Sequence, residues 1–104
     1  MNIKNKKLLD RSSLDKKIGP ITFGSFLVSW RLSLGLTQIA FAKKIGISPA
    51  NLCDIEKGRQ LVSAKKAAEV AKKIGYSQTV LVEIALNEQL AAEGLKMRVK
   101  AEAA

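Results

Sequence analysis

The sequence contains no histidine and only one cysteine, Cys53, among its 104 residues. A single cysteine cannot form an internal disulfide, and without histidine the chain lacks an imidazole base and a common zinc ligand. We therefore expect no metal site, no cofactor and no histidine-based catalysis. No apolar run approaches the roughly 20 residues of a membrane span, and none near the start resembles a signal-peptide core, so we expect a cytoplasmic protein.

Acidic residues are also scarce, because 18 Lys and Arg face 9 Asp and Glu, giving a net charge of +9. Residues 1–19 hold six basic and two acidic groups (+4), residues 20–76 nine and three (+6), and residues 77–104 three and four (−1). This surplus favours a nucleic acid or an anionic membrane surface as partner, although a charged solvated surface gives the same composition. The length indicates one small domain with extensions.

Residues 37–59, TQIAFAKKIGISPANLCDIEKGR, predict two short helices joined by a tight turn. Thr37 can cap the first helix, and Gly46 can end it in a left-handed conformation. Ser48 followed by Pro49 is a strong start signal for the second helix, which is expected to run to about residue 57. The apolar positions expected to point inward are Phe41, Ala42, Ile45, Ile47, Leu52 and Ile55. The remaining face is open, as in a helix-turn-helix whose second helix enters the DNA major groove.

Three further helices are expected around this unit. The first should run from Phe23 to about Leu34, with an inward stripe that includes Phe26, Leu27, Trp30 and Leu34. The fourth should follow Ser63 and close a four-helix core ending at Gly75. The fifth, from Ser77, is apolar around most of its circumference, so a second copy of the chain is expected to cover it. Leu86 and Leu90 are the predicted dimer contacts.

The two ends differ from this domain of residues 21–94. Residues 1–20 scatter a few apolar side chains among lysines without a helical or strand period, so we expect an arm that is disordered when free. It is either a frayed basic terminus attracted to DNA or a segment that orders on a protein partner. Residues 95–101 alternate apolar and charged side chains, which predicts a short half-buried strand. It would pair with a second copy or with a partner's sheet edge, and a disordered tail at 95–104 is the alternative.

Three runs carry a family resemblance: LTQ at 36–38, FAKKIGIS at 41–48 and LCDIEKGR at 52–59. Over roughly residues 22–76 the chain resembles the phage Cro and repressor (XRE) type of DNA-binding domain. The resemblance implies an all-α, five-helix, Cro/repressor-like helix-turn-helix fold. With its arm and dimer helix, the chain is also similar to HigA-type antitoxins, which repress their own operon and inhibit a ribosome-dependent mRNA-cleaving toxin.

The resemblance also implies roles for individual residues. Arg31 and Glu56 should form a partly buried ion pair between the first and third helices. Phosphates should be anchored by Gln38, Asn51, Lys57 and Arg59, while base edges should be read near Pro49, Ala50 and Asp54. Ser48 is also expected to bind DNA. A toxin would contact Leu8, Leu9, Leu14 and Ile18 of the arm. Toxin-covering segments are often acidic, whereas this arm is basic, so its leucines would have to carry the binding.

Three classes of function are open to such a chain. A sequence-specific repressor that binds an operator as a homodimer is favoured, with the toxin-binding antitoxin first and a solitary phage-type regulator as the alternative. An enzyme is the weakest reading, because no nucleophile-base pair, metal cluster or phosphate loop can be assembled. A pure protein-interaction module would keep a partner after losing DNA binding.

Overall fold

The computed structural model describes residues 21–104, which contain five α-helices and no strand. The helices are α1 (Phe23–Ser33), α2 (Gln38–Ile45), α3 (Pro49–Glu56), α4 (Ala64–Ile74) and α5 (Gln78–Ala92). A Ser or Thr side chain caps each start by accepting a backbone N–H three residues on: Thr22, Thr37, Ser48, Ser63 and Ser77. A glycine with positive φ follows each end. The five predicted helices are thus confirmed.

All five helices contribute to one apolar core. Its fully buried side chains are Phe23, Leu27, Phe41, Ala42, Ile45, Leu52, Ile55, Ala67, Val70, Ala71, Leu81, Ile84 and Ala85, together with Val62 from the loop before α4. The prediction that Leu34 belongs to this core is wrong, because its side chain is 48% exposed. Leu34 is the C-cap of α1, where the helical spacing ends, and Leu36 packs against the core instead.

The crossing of α1 and α3 depends on a glycine. A Cβ placed on Gly24 would lie 2.1 Å from the backbone oxygen of Ile55, so only a residue without a side chain fits there. The backbones of α1 and α3 therefore approach closely at this point. The α1–α3 packing is thus held at two places, by this backbone contact and by the side chains of Arg31 and Glu56.

Helix α5 belongs to the core, which differs from the expected four-helix core. Leu81, Ile84 and Ala85 are buried against the other helices. The carboxylate of Glu88 accepts the backbone N–H of Phe23 at 2.9 Å, so α5 also caps the start of α1. Without α5, the core surface of the other four helices that it covers would be exposed. The core therefore extends beyond Gly75.

Residues 95–104 form no strand within this single chain, and the predicted pairing of the segment with a second copy or with a partner's sheet edge stays a prediction. The segment instead returns along α5, held by side chains. The carboxamide of Asn87 accepts the N–H of Val99 at 2.7 Å and donates to its carbonyl at 3.1 Å, and Glu83 accepts the N–H of Ala101 at 3.1 Å. The spacing fits, because the two extended residues from 99 to 101 span about 6.4 to 6.8 Å and the four helical residues from 83 to 87 rise about 6 Å. Side chains thus take the place of a neighbouring strand.

Within residues 21–104, no helix has the length and apolar character needed to span a membrane.

Candidate nucleic-acid interface

Helices α2 and α3 form the predicted helix-turn-helix unit. Gly46 ends α2 with φ of 77°, a left-handed conformation that turns the chain at low energetic cost. The N–H of Ile47 donates to the carbonyl of Ala42 at 3.0 Å, and the Ile47 side chain packs against the core. Ser48 then accepts the N–H of Asn51 at 3.0 Å and starts α3. The turn therefore sets the angle between the two helices within three residues.

A lysine from α4 supports this turn. The Nζ atom of Lys73 donates to the carbonyl of Ile45 at 3.3 Å, at the C-terminal end of α2. A cation at that position also interacts favourably with the helix dipole. This contact could not be predicted from the sequence, because Lys73 and Ile45 are 28 positions apart. A lysine near the end of a helix is common and does not by itself indicate such a contact.

A buried hydrogen-bond network holds α3 against α1 and α2. The Nε and Nη2 atoms of Arg31 donate to the two carboxylate oxygens of Glu56 at 2.8 and 3.1 Å. The Nε2 atom of Gln38 donates to the same carboxylate at 2.8 Å, and Nη1 of Arg31 donates to the carbonyl of Leu36 at 3.1 Å. The Glu56 side chain is only 3% exposed. The network therefore joins α1, the loop after it, α2 and the end of α3.

The electrostatics of Arg31 follow from this geometry. Its hydrogen bonds to Glu56 raise the pKa of the guanidinium above the ordinary value, burial acts in the opposite direction, and the Glu56 charge adds to the increase. The Arg31 guanidinium is thus held in its charged form. A buried pair of this kind adds little net stability, but it specifies a geometry, because each charge is satisfied in only one arrangement.

The predicted DNA-contacting residues share one surface of the helix-turn-helix unit. Leu52 and Ile55 of α3 are buried and Glu56 is bound to α1 and α2, so the opposite side of the helix faces outward. Ser48, Pro49, Ala50, Lys57 and Arg59 are exposed, and Gln38, Asn51 and Asp54 are half-buried. The start of α3 is small and uncharged, whereas two exposed cations, Lys57 and Arg59, follow its last residue. Such a helix can approach base edges at its start and phosphates at its end.

Gln38, Asp54 and Arg59 bind other side chains of the protein, and one atom of Asn51 is enclosed. Gln38 is committed to Glu56 through its amide nitrogen. The Oδ1 atom of Asn51 is enclosed, and among the described residues it has no hydrogen-bond partner. Asp54 and Arg59 form an ion pair, with Oδ1 and Nε 3.1 Å apart. Asn51 therefore lies at the edge of the surface, and Arg59 extends from α3 with a carboxylate beside it.

The other predicted sites fall outside this surface. Leu8, Leu9, Leu14 and Ile18 lie outside the described residues. Leu86 and Leu90 lie on α5 and are half-buried. Within residues 21–104 no group of three or more Cys, Asp or Glu side chains is placed to hold a metal ion.

Comparison with known families agrees with this geometry. A family model described as helix-turn-helix matches residues 27–81, more than half of the chain. The matched range begins within α1 and ends within the first turn of α5, so it contains the whole α2–α3 unit. No curated protein sequence matches the chain significantly. The chain belongs to the XRE-type helix-turn-helix family, whose members are DNA-binding transcription regulators.

Proposed function

We propose that this protein is a sequence-specific transcriptional repressor that binds its operator as a homodimer in the cytoplasm. We further propose that it is the antitoxin of a toxin-antitoxin pair, repressing its own operon and neutralising an mRNA-cleaving RNase toxin. The observation that carries the DNA-binding part is the outward side of α3, which is small at its start and is followed by the exposed cations Lys57 and Arg59. The turn at Gly46 and the Arg31–Glu56 ion pair hold α3 in this orientation.

The base-reading and phosphate-binding roles divide along α3. Pro49 and Ala50 present little bulk, so the helix start can lie close to the floor of the major groove. Lys57 and Arg59 follow the last turn, where a long cationic side chain can reach the DNA backbone. Ser48, Asn51 and Asp54 complete the surface, and Gln38 adds the backbone N–H of the first α2 residue as a phosphate donor.

The dimer proposal rests on apolar surface that one chain leaves open. Leu86 and Leu90 are half-buried on α5 and lie outside the core cluster. Beside them, the tail binds α5 through its backbone while Leu95 is 42%, Met97 65% and Val99 40% exposed. A second copy would bury both sets at once. Two α3 helices would then be available for half-sites about 34 to 36 Å apart.

The toxin proposal rests on the sequence of the arm. Leu8, Leu9, Leu14 and Ile18 are apolar anchors in an otherwise polar segment, joined to the domain by Gly19-Pro20. Burial of each anchor against a partner contributes roughly 1.5 to 3 kcal/mol. The exposed Ile39, at 70%, and the tail are the other apolar surfaces that a toxin could contact.

The DNA interface predicts that Lys57→Ala weakens binding to all DNA sequences by a similar factor. One phosphate contact is lost, so the slope of log affinity against log salt should flatten by about 0.9. Fluorescence anisotropy with several duplexes between low and moderate salt measures both quantities. Lys65→Ala, at an exposed lysine of α4, is the matched control and should change neither. Equal affinities for wild type and Lys57→Ala would contradict the site assignment.

The dimer interface predicts that Leu86→Lys combined with Leu90→Lys produces a monomer that keeps its helix content. Both side chains lie outside the buried core, so the fold should survive while the shared apolar surface is lost. Sedimentation and circular dichroism test this at micromolar concentration, and operator affinity should fall steeply. Leu32→Lys is the control, because Leu32 is 62% exposed on α1. A monomeric wild-type protein would refute the dimer.

The arm predicts that deletion of residues 1–18 abolishes toxin binding and the rescue of cell growth, while DNA binding and dimerisation remain. Co-expression with the adjacent gene, followed by co-purification, provides the measurement. Full-length protein with Leu8→Lys and Leu9→Lys should show the same loss without a change in length. If the truncated protein still neutralises the toxin, the contact lies elsewhere. If no small protein co-purifies with wild type, the solitary regulator is the better account.

A further inference from the structure

Asp54 and Arg59 are bound to each other at the DNA-facing end of α3. Their side chains meet at 3.1 Å between Oδ1 and Nε, and the backbone N–H of Arg59 donates to the carbonyl of Asp54 at 2.8 Å. The second bond is part of the turn that ends α3, so it fixes where the Arg59 side chain begins. Both side chains remain accessible, at 46% for Asp54 and 60% for Arg59.

This pairing changes what Arg59 can contribute to DNA binding. A guanidinium beside a carboxylate presents no net charge to an approaching phosphate, so the pair adds little to non-specific attraction. An exposed ion pair is also weak, equivalent to about a 1.5- to 5-fold factor in an equilibrium constant. Asp54 or Arg59 can therefore leave the ion pair for a stronger hydrogen-bond partner. The backbone bond between the two residues keeps their side chains close, so the pair can form again.

We propose, on the basis of the DNA-binding function proposed above, that Asp54 is a specificity-determining residue that acts through Arg59. On DNA without the correct base, the carboxylate keeps Arg59 neutralised. At the operator, a cytosine amino group donates to the carboxylate, and the guanidinium turns to a phosphate. Recognition of one base thereby adds a phosphate contact that other sequences do not obtain.

A simpler effect would be repulsion of phosphates by the Asp54 charge alone, and a double-mutant cycle separates the two. Wild type, Asp54→Asn, Arg59→Gln and the double variant are titrated with a random-sequence duplex over a range of salt concentrations. We expect Asp54→Asn to bind about 1.5- to 5-fold more tightly, with a salt slope steeper by about 0.9. Arg59→Gln leaves the Asp54 carboxylate unpaired, so it should bind more weakly than wild type. Asp54→Asn in that background should recover only this repulsion, a smaller gain than in wild type, because no guanidinium is released to a phosphate. An equal gain from Asp54→Asn in both backgrounds would overturn the inference.

The operator side of the inference uses a duplex selected from a random library by the wild-type protein. On this duplex Arg59→Gln should weaken binding more than it does on the random duplex, and it should flatten the salt slope by about 0.9, because a phosphate contact is also lost. Asp54→Asn should lower the ratio of operator to random affinity. Equal losses from Arg59→Gln on the two duplexes would also overturn the inference.

Two controls distinguish a failure of the Asp54–Arg59 inference from a failure of the proposed DNA-binding function. Glu69→Gln removes an exposed carboxylate from α4, which lies 3.9 Å from Lys66, and should change random-duplex affinity less than Asp54→Asn does. If Lys57→Ala shows its expected loss while the Asp54 and Arg59 effects are independent, only this inference is overturned. If wild type shows no salt-dependent DNA binding, the proposed function fails as well.

Discussion

The carboxylate of Glu56 accepts three hydrogen bonds in a site that is almost closed to solvent. Its donors come from α1 and α2, so the last residue of α3 is tied to both neighbouring helices. The cost of burying charge is offset only when all of these bonds form together, which excludes other arrangements of α3. The packing of α1 against α3 is also held at Gly24, where the backbone of α1 lies against the backbone of Ile55. Between these two constraints, α3 has little freedom to move against α1.

A rigid α3 is what a DNA-reading surface requires, because direct contacts to base edges depend on positions fixed within fractions of an ångström. The turn at Gly46 and the Lys73 contact hold the start of α3, and the Glu56 network holds its end. The proposed dimer contacts lie elsewhere, on α5 and its tail. Substitutions there leave the α2–α3 surface itself unchanged.

The helices could be predicted from sequence because each one is marked locally. A Ser or Thr cap precedes every helix and a glycine follows it, and the apolar spacing between them is helical. Leu34 was misplaced because the spacing continues one step beyond the end of α1. The side-chain support of the tail could not be predicted, since the alternation of residues 95–101 indicates an extended chain but does not say what binds its backbone. Asn87 and Glu83 look like ordinary surface residues in the sequence.

The site was less completely predictable than the fold. The exposed positions of α3 follow from helical spacing, because Leu52 and Ile55 must point inward. The pairing of Arg31 with Glu56 came from the family resemblance, and spacing alone would not identify it, since the two residues are 25 positions apart. The contacts of Gln38 with Glu56 and of Asp54 with Arg59 depend on rotamers and on the shape of the turn after α3. No sequence pattern encodes those directly.

The central claim is that the Arg31–Glu56 pair sets the orientation of α3 more than it stabilises the fold. The most direct measurement compares Glu56→Leu with the double variant Arg31→Met, Glu56→Leu, recording both the free energy of unfolding and operator affinity. The single variant should lose about 3 to 5 kcal/mol, because Arg31 is left buried without its partner. The double variant should recover most of that stability yet still bind the operator weakly. Recovery of operator affinity together with stability would contradict the account.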